Sequence, residues 1–285
     1  MARSRKRYQH KKSSTGTPSN FSGKHFIHNK RLINDIVNIA RISKSDLVLD
    51  LGAGKGAITS ILSSRARKVL AIEYDSNFIK KLKQLEMKNT IIIKQDILRI
   101  SLPQEPFVVV SNIPYAITTP IMKMFLNKPS SGFQSGVIVM ENGVAKRFTS
   151  NFVKESYVIA WKMWFDIQYV KGISRRNFSP PPKVDSAVIK INRKAKPIVP
   201  ISDYLIFWGL ADYALKHPQY PIEIALKGIF TPPQMKHLKR NLQINNETPI
   251  ASLTELQWGS LFETMIKYVP KSRWPKIKKA KLNHF

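Results

Sequence analysis

There is no cysteine in these 285 residues. That absence excludes a disulfide framework, a thiolate zinc site and a cysteine nucleophile. No run of about 18 apolar residues occurs, the length that a membrane-crossing helix requires. The basic N-terminus is followed by no apolar segment, so a secretory signal is not expected. Acidic residues are scarce: 18 Asp and Glu stand against 47 Lys and Arg, a formal net charge of +29. An intracellular, cytoplasmic protein fits these absences. A cationic surplus of this size points to a polyanionic partner, and nucleic acid is the commonest one inside cells.

What is present can fold. Hydrophobic residues make up 43% of the chain, with five Trp, nine Tyr and fourteen Phe, enough apolar material for a core. The length suits one large domain and a smaller one. Six basic groups and no acid lie in residues 1–12 (Arg3, Arg5, Lys6, Arg7, Lys11, Lys12), and seven lie in residues 265–285 (Lys267, Lys271, Arg273, Lys276, Lys278, Lys279, Lys281). Taking these thirteen from +29 leaves +16, so the body is itself cationic.

Residues 1–20 are polar and basic and read as a disordered arm. Over 29–42 the apolar positions Leu32, Ile33, Ile36, Val37, Ile39 and Ala40 recur at helical spacing. Strands are expected at 46–51, 68–73, 90–96, 107–112 and 136–140, with helices over 57–64 and near 77–86. Alternation at this spacing means βαβ units and a mainly parallel, doubly wound sheet. Residues 157–170 and 184–193 are β-rich and are expected to close the sheet as an antiparallel pair. Beyond Pro197 and Pro200 short helices broken by prolines are expected at 201–216, 221–227, 231–242 and 252–268. The division is therefore a basic arm 1–20, an α/β domain 21–195, a helical domain 196–270 and a basic tail 271–285.

In an open parallel sheet, ligands bind beyond the carboxyl ends of the strands at the switch point. The first of these strands delivers the chain into Gly52-Ala-Gly-Lys-Gly56, where glycine permits a sharp turn and close approach to a ligand. Glu73 ends the next strand, 19 residues after Gly54, where a carboxylate suits two ribose hydroxyls. Asp96 ends the third, placed to accept from an adenine amine. The spacing GxGxG differs from the dinucleotide fingerprint GxGxxG, and up to this point NAD and S-adenosylmethionine both remain open.

Asn112-Ile-Pro-Tyr115 at the end of the fourth strand decides between them. An adenine N6 amine is a poor nucleophile because its lone pair is delocalised into the ring. The Asn112 side-chain oxygen and the Ile113 carbonyl, both accepting from that amine, favour a pyramidal nitrogen aimed at a sulfonium methyl. Pro114 fixes the backbone, and Tyr115 offers a face on which an extruded base stacks. No strong general base is needed, since positioning and electrostatics carry the step.

These pieces, with Asp50-Leu-Gly-Ala-Gly-Lys-Gly56, Gln95-Asp96, Ser111–Tyr115 and Arg176-Asn-Phe-Ser-Pro-Pro-Pro-Lys-Val-Asp185, resemble the ribosomal RNA adenine N6-dimethyltransferases. The likeness covers roughly residues 20–270 and is strongest to the Erm type, which modify 23S RNA and confer resistance to macrolides, lincosamides and streptogramin B. It implies a Rossmann-like methyltransferase sheet with a small all-helical C-terminal domain. It implies S-adenosyl-L-methionine held by Gly52, Gly54, Glu73, Asp96 and Asn112, and Phe178 covering the base's other face. The family opens its domain with Gln-Asn-Phe-Leu, which corresponds here to Lys24-His25-Phe26-Ile27, making His25 and Ile27 cofactor contacts; Asn20-Phe21 offers a second register. The expected partner is protein-free or precursor large-subunit RNA, bound by a monomer without metal or membrane.

Phosphate contacts from the basic arm, tail and body would carry affinity and salt dependence rather than sequence choice. Trp161, Trp164 and Phe165 are expected in the core. Two other functions compete: a small-subunit 16S RNA dimethyltransferase of ribosome biogenesis, and a non-catalytic nucleic-acid-binding factor on the same fold. The intact Asn112–Tyr115 loop and the carboxylates oppose the latter.

Overall fold

The computed structural model describes residues 25–277, so the predicted arm (1–20) and the end of the predicted tail lie outside the described residues. The chain runs β1 (Phe26–Ile27), α1 (Lys30–Ala40), β2 (Leu47–Leu51), α2 (Ala57–Arg65), β3 (Lys68–Glu73), α3 (Ser76–Lys83), β4 (Thr90–Lys94) and β5 (Phe107–Asn112). It continues through α4 (Thr118–Leu126), β6 (Phe133–Glu141), α5 (Asn142–Thr149), α6 (Ser156–Trp164), β7 (Phe165–Ile173), β8 (Phe178–Ser179) and β9 (Ser186–Arg193). Among the described residues only helices follow: α7 (Tyr204–Ala214), α8 (Ile222–Ala225), α9 (Pro232–Leu242) and α10 (Glu255–Tyr268).

Seven strands form one sheet in the order β4-β3-β2-β5-β6-β9-β7. The first five are parallel; β9 pairs antiparallel with β6, and β7 with β9. Strand order therefore reverses between β2 and β5, which places the loops after these two strands side by side at the carboxyl edge. β2 is buried along its whole length, as a central parallel strand covered on both faces must be. Its side chains alternate between two apolar clusters, Leu47, Leu49 and Leu51 in one and Val48 in the other.

Local chemistry sets the helix ends. Asn29 caps α1, its side chain accepting from the Leu32 N–H at 3.2 Å, and Arg41 in the left-handed region ends it. Leu32, Ile33, Ile36 and Val37 form the buried stripe. A reciprocal Thr254–Gln257 capping box starts α10.

The segment expected as a strand from residue 157 is helical to Trp164 and becomes strand only at Phe165. Every residue from Val158 to Trp164 is buried, so α6 has no polar face and shows no 3.6-residue periodicity in sequence. Tertiary packing overrides the local preference of its aromatic and β-branched residues. Trp161 and Trp164 do lie in the core, their indole N–H groups donating to Asn127 Oδ1 at 2.9 Å and Val199 O at 2.8 Å. Phe165 is also fully buried.

α6 carries the helical part of the chain. Phe207 of α7 meets Trp164 edge-on at 5.9 Å, and meets Trp258 and Phe262 of α10 at 6.1 and 5.6 Å. Each such ring contributes about 1.5–3 kcal/mol on burial. The first residues of the predicted tail have regular structure: Lys271–Arg273 form an exposed 3-10 turn and Trp274 Nε1 donates to Val269 O at 2.8 Å. The backbone at Pro275 lies against Gly209 of α7, leaving no room there for a Cβ. Among the described residues, no helix is long and apolar enough to cross a membrane.

Candidate active site

The loop leaving β2 holds three glycines at positive φ: Gly52 at 79°, Gly54 at 55° and Gly56 at 85°. A Cβ on Gly54 would come within 2.6 Å of Phe26 Cε1, so a flat backbone is needed there as well as a left-handed one. The loop is pinned by the next strand. Gly52 and Ala53 donate to Ile72 O at 2.9 and 3.0 Å, and Gly54 N–H donates to Glu73 Oε2 at 2.8 Å. Glu73 Oε1 accepts from the N–H groups of Tyr74 and Asp75, both at 2.8 Å. The carboxylate expected for a ribose thus also braces the glycine loop, a task that spacing alone did not reveal. Asp96 lies two residues past the end of β4, not on it, and caps the following turn by accepting from Leu98 N–H at 3.0 Å.

Beneath the loop lies Asp50, 1% exposed, which accepts from Thr59 Oγ1 of α2 at 2.7 Å. Burial pushes its carboxyl up to about 7; hydrogen bonds from Thr59 and Ser111 pull it down, and the charge of Glu73 raises it again. Ser111, also fully buried, accepts from Leu51 N–H at 2.7 Å and so ties β5 to the end of β2. Neither role was assigned from sequence, because nothing in the motif distinguishes a buried carboxyl from a solvated one.

Asn112 ends β5. Its Nδ2 donates to His25 O at 2.9 Å, which fixes the direction of the amide, since a flipped amide would set two oxygens against each other. The other end, Oδ1, is buried and has no partner among the described residues. An unpaired buried acceptor costs about 1–3 kcal/mol, a cost that a ligand, ion or water supplying the donor would remove. Ile113 is buried, with its N–H donating to Val139 O at 3.2 Å, and Pro114 O is held by Ile117 N–H at 3.2 Å. Tyr115 is half-buried; its hydroxyl bonds Ser186 Oγ, and burial pushes the phenol above its ordinary range.

The remaining predicted residues fall differently. His25 stands beside Tyr115, with ring centroids 5.9 Å apart, and its Nδ1 meets Pro180 O at 2.8 Å. Ile27 and Phe178 are paired across β1 and β8, and both side chains sit in the apolar cluster under α1, 6% and 2% exposed. The short β1–β8 ribbon turns both side chains inward. Gly52, Gly54, Glu73, Asn112 and Tyr115, by contrast, converge at the carboxyl edge where the strand order reverses.

A glycine loop braced by a strand-end carboxylate, next to an Asn-Ile-Pro-Tyr loop with one free acceptor, on this strand order, defines a Rossmann-like methyltransferase. The profile of one family, "Ribosomal RNA adenine dimethylase", matches residues 19–267. The chain is 57% identical over 283 residues to an rRNA adenine N-6-methyltransferase of Bacillus licheniformis, covering 99% of both. It is 32% identical over 209 residues to a ribosomal RNA small subunit methyltransferase A of Streptococcus equi subsp. zooepidemicus, covering 68% of this chain and 72% of that one. Its fold matches the crystal structure of the 23S rRNA methyltransferase ErmE with a TM-score of 0.77 at 25% identity, covering 85% of this chain and all of that one. The chain belongs to the ribosomal RNA adenine dimethylase family.

Proposed function

We propose that this protein transfers methyl groups from S-adenosylmethionine to the N6 amine of one adenine in 23S ribosomal RNA, giving resistance to macrolide, lincosamide and streptogramin B antibiotics. The observation that carries the chemistry is Asn112 Oδ1, a buried acceptor with its amide direction fixed and no donor among the described residues. An adenine amine supplies the missing donor. Accepting from it, Asn112 and the Ile113 carbonyl draw the nitrogen toward a pyramidal shape and free its lone pair. Tyr115 stacks the extruded base. S-adenosylmethionine supplies an electrophilic methyl group.

The residues present fit that cofactor. The positive-φ glycines leave an open backbone, Glu73 keeps acceptor capacity toward a ribose, and Asp96 lies at the same edge for the adenine end. Gly52, Gly54, Glu73, Asp96 and Asn112 would hold it, with the His25 backbone bracing Asn112 rather than meeting the ligand. Lys and Arg of the body and both ends supply phosphate contacts to RNA, and a monomer in the cytoplasm is the working state. For the target, the fold match to the 23S rRNA methyltransferase ErmE over 85% of this chain, against a 68% sequence match to the small-subunit enzyme, supports 23S over 16S RNA.

The test is methyl transfer from labelled S-adenosylmethionine to protein-free 23S and 16S RNA, with reverse transcription to map the modified base. A stop at one adenine of the macrolide-binding region of 23S RNA is expected. Label confined to 16S RNA would overturn the target, and cofactor binding with no label on either would overturn the substrate class.

A further inference from the structure

Ser186 opens β9 and is fully buried. Its backbone is laddered on both sides, opposite Glu141 of β6 and Ile173 of β7, so its Cα has little freedom. Its neighbours Ala187, Val188 and Ile189 are all buried and apolar. A hydroxyl in such a strand is costly unless it is paired, and here it is paired with the Tyr115 hydroxyl, 71 residues away in sequence.

From the side of Tyr115 the same bond has a different meaning. The ring belongs to a short 3-10 turn, Tyr115–Ile117, with no buried residue. It is tilted 37° against the His25 ring, a contact at the side of the ring that makes no hydrogen bond to its hydroxyl. A half-exposed tyrosine samples several orientations, and a stacking platform works only in one. A hydrogen bond at the para position, from an atom fixed in the sheet, removes that freedom. The rest of the loop is anchored through Asn112 to His25 O and through Ile113 to Val139 O, and neither bond acts on the ring itself.

We propose that Ser186 is a positioning residue for methyl transfer: by holding the Tyr115 hydroxyl it sets the angle at which that ring receives the extruded adenine. This rests on the stacking role given above to Tyr115. Ser186 touches neither base nor methyl donor and acts only through the phenol.

The bond has one partner on each side, so each can be removed alone. Ser186→Ala and Tyr115→Phe are each expected to lower kcat for RNA methylation roughly three- to tenfold, the range of one neutral hydrogen bond. The KM for S-adenosylmethionine should stay within about twofold, because the ring and glycine loop remain. The double variant should be no slower than either single variant, whereas independent structural damage multiplies. Urea unfolding of each variant checks that the fold persists. Wild-type kcat in Ser186→Ala, or losses that multiply in the double variant, would overturn the inference while leaving the proposed function intact. Failure of the unaltered chain to methylate any RNA would remove the function first and this inference with it.

Discussion

Replacing Asp50 by Asn should remove a pH dependence of stability that the wild-type chain carries in its central strand. The carboxyl is 1% exposed, and burial raises it from 3.8 to about 7. In the folded chain it therefore keeps a proton that the unfolded chain releases. Below about pH 3.8 both states are protonated and the group is neutral toward folding. Between there and about pH 7 the unfolded state alone ionises, so wild-type stability falls by about 1.4 kcal/mol per pH unit from this group. The shift of about three units amounts to roughly 4 kcal/mol in all, and the loss levels off above pH 7. Asn has the same shape, still accepts from Thr59 Oγ1, and never ionises. Urea unfolding followed by far-ultraviolet circular dichroism, at intervals from pH 4.5 to 8.5, gives the stability of each protein. The difference between variant and wild type cancels the other titrating groups. It should rise in favour of Asn by a few kcal/mol toward pH 7 and then flatten. A difference that is constant with pH, or that shrinks as pH rises, would refute a buried protonated Asp50.

Asn112→Ala should lower the rate of methyl transfer by about a hundredfold or more. Stability should hold within about 1 kcal/mol, since the lost bond to His25 O is offset by removal of an unpaired acceptor; a loss above 2 kcal/mol would contradict that balance. Tyr115→Ala should abolish transfer while calorimetry still finds S-adenosylmethionine bound, and an equal loss of cofactor affinity would contradict the stacking role. Gly54→Ala places a Cβ at φ 55° and 2.6 Å from Phe26, so about 1–2 kcal/mol of stability and most cofactor affinity should go. Adding Phe26→Ala should return part of the stability, and no recovery would rule out the clash. Deleting residues 1–12 removes six cationic side chains, so the dependence of RNA affinity on salt should become shallower. An unchanged slope would mean that the arm touches no phosphate.

Much of this molecule was legible in its sequence, because the signals were local. Apolar runs of five or six residues ending in glycine, Glu73 and Asn112 mark strands buried on both faces, and their spacing marks crossover helices. The Asn-Ile-Pro-Tyr loop carries its chemistry in its residue types alone. The helical stripe of α1 and the proline-broken pattern after residue 195 were equally plain. Where the periodicity was absent the expectation failed: α6 is buried on every side, so nothing in its spacing separates it from a strand, and only its neighbours in α7 and α10 decide.

Side-chain direction was the other thing that sequence did not hold. Pairing of β1 with β8 turns the Ile27 and Phe178 side chains into the core, a direction that their motifs did not show. The backbone carbonyl of His25 holds the Asn112 amide, a bond that the sequence did not show. Ser186 reaches Tyr115, and burial raises the Asp50 carboxyl, only because strands far apart in sequence lie adjacent in the sheet. The sequence alone determined the class of fold, the identity of the chemical groups and the edge of the sheet at which they gather, since those follow from periodicity and residue type. The orientation of those groups and the raised titration of Asp50 were decided by tertiary structure, because both depend on what desolvates and touches a side chain, and contacts between distant segments have no local signature.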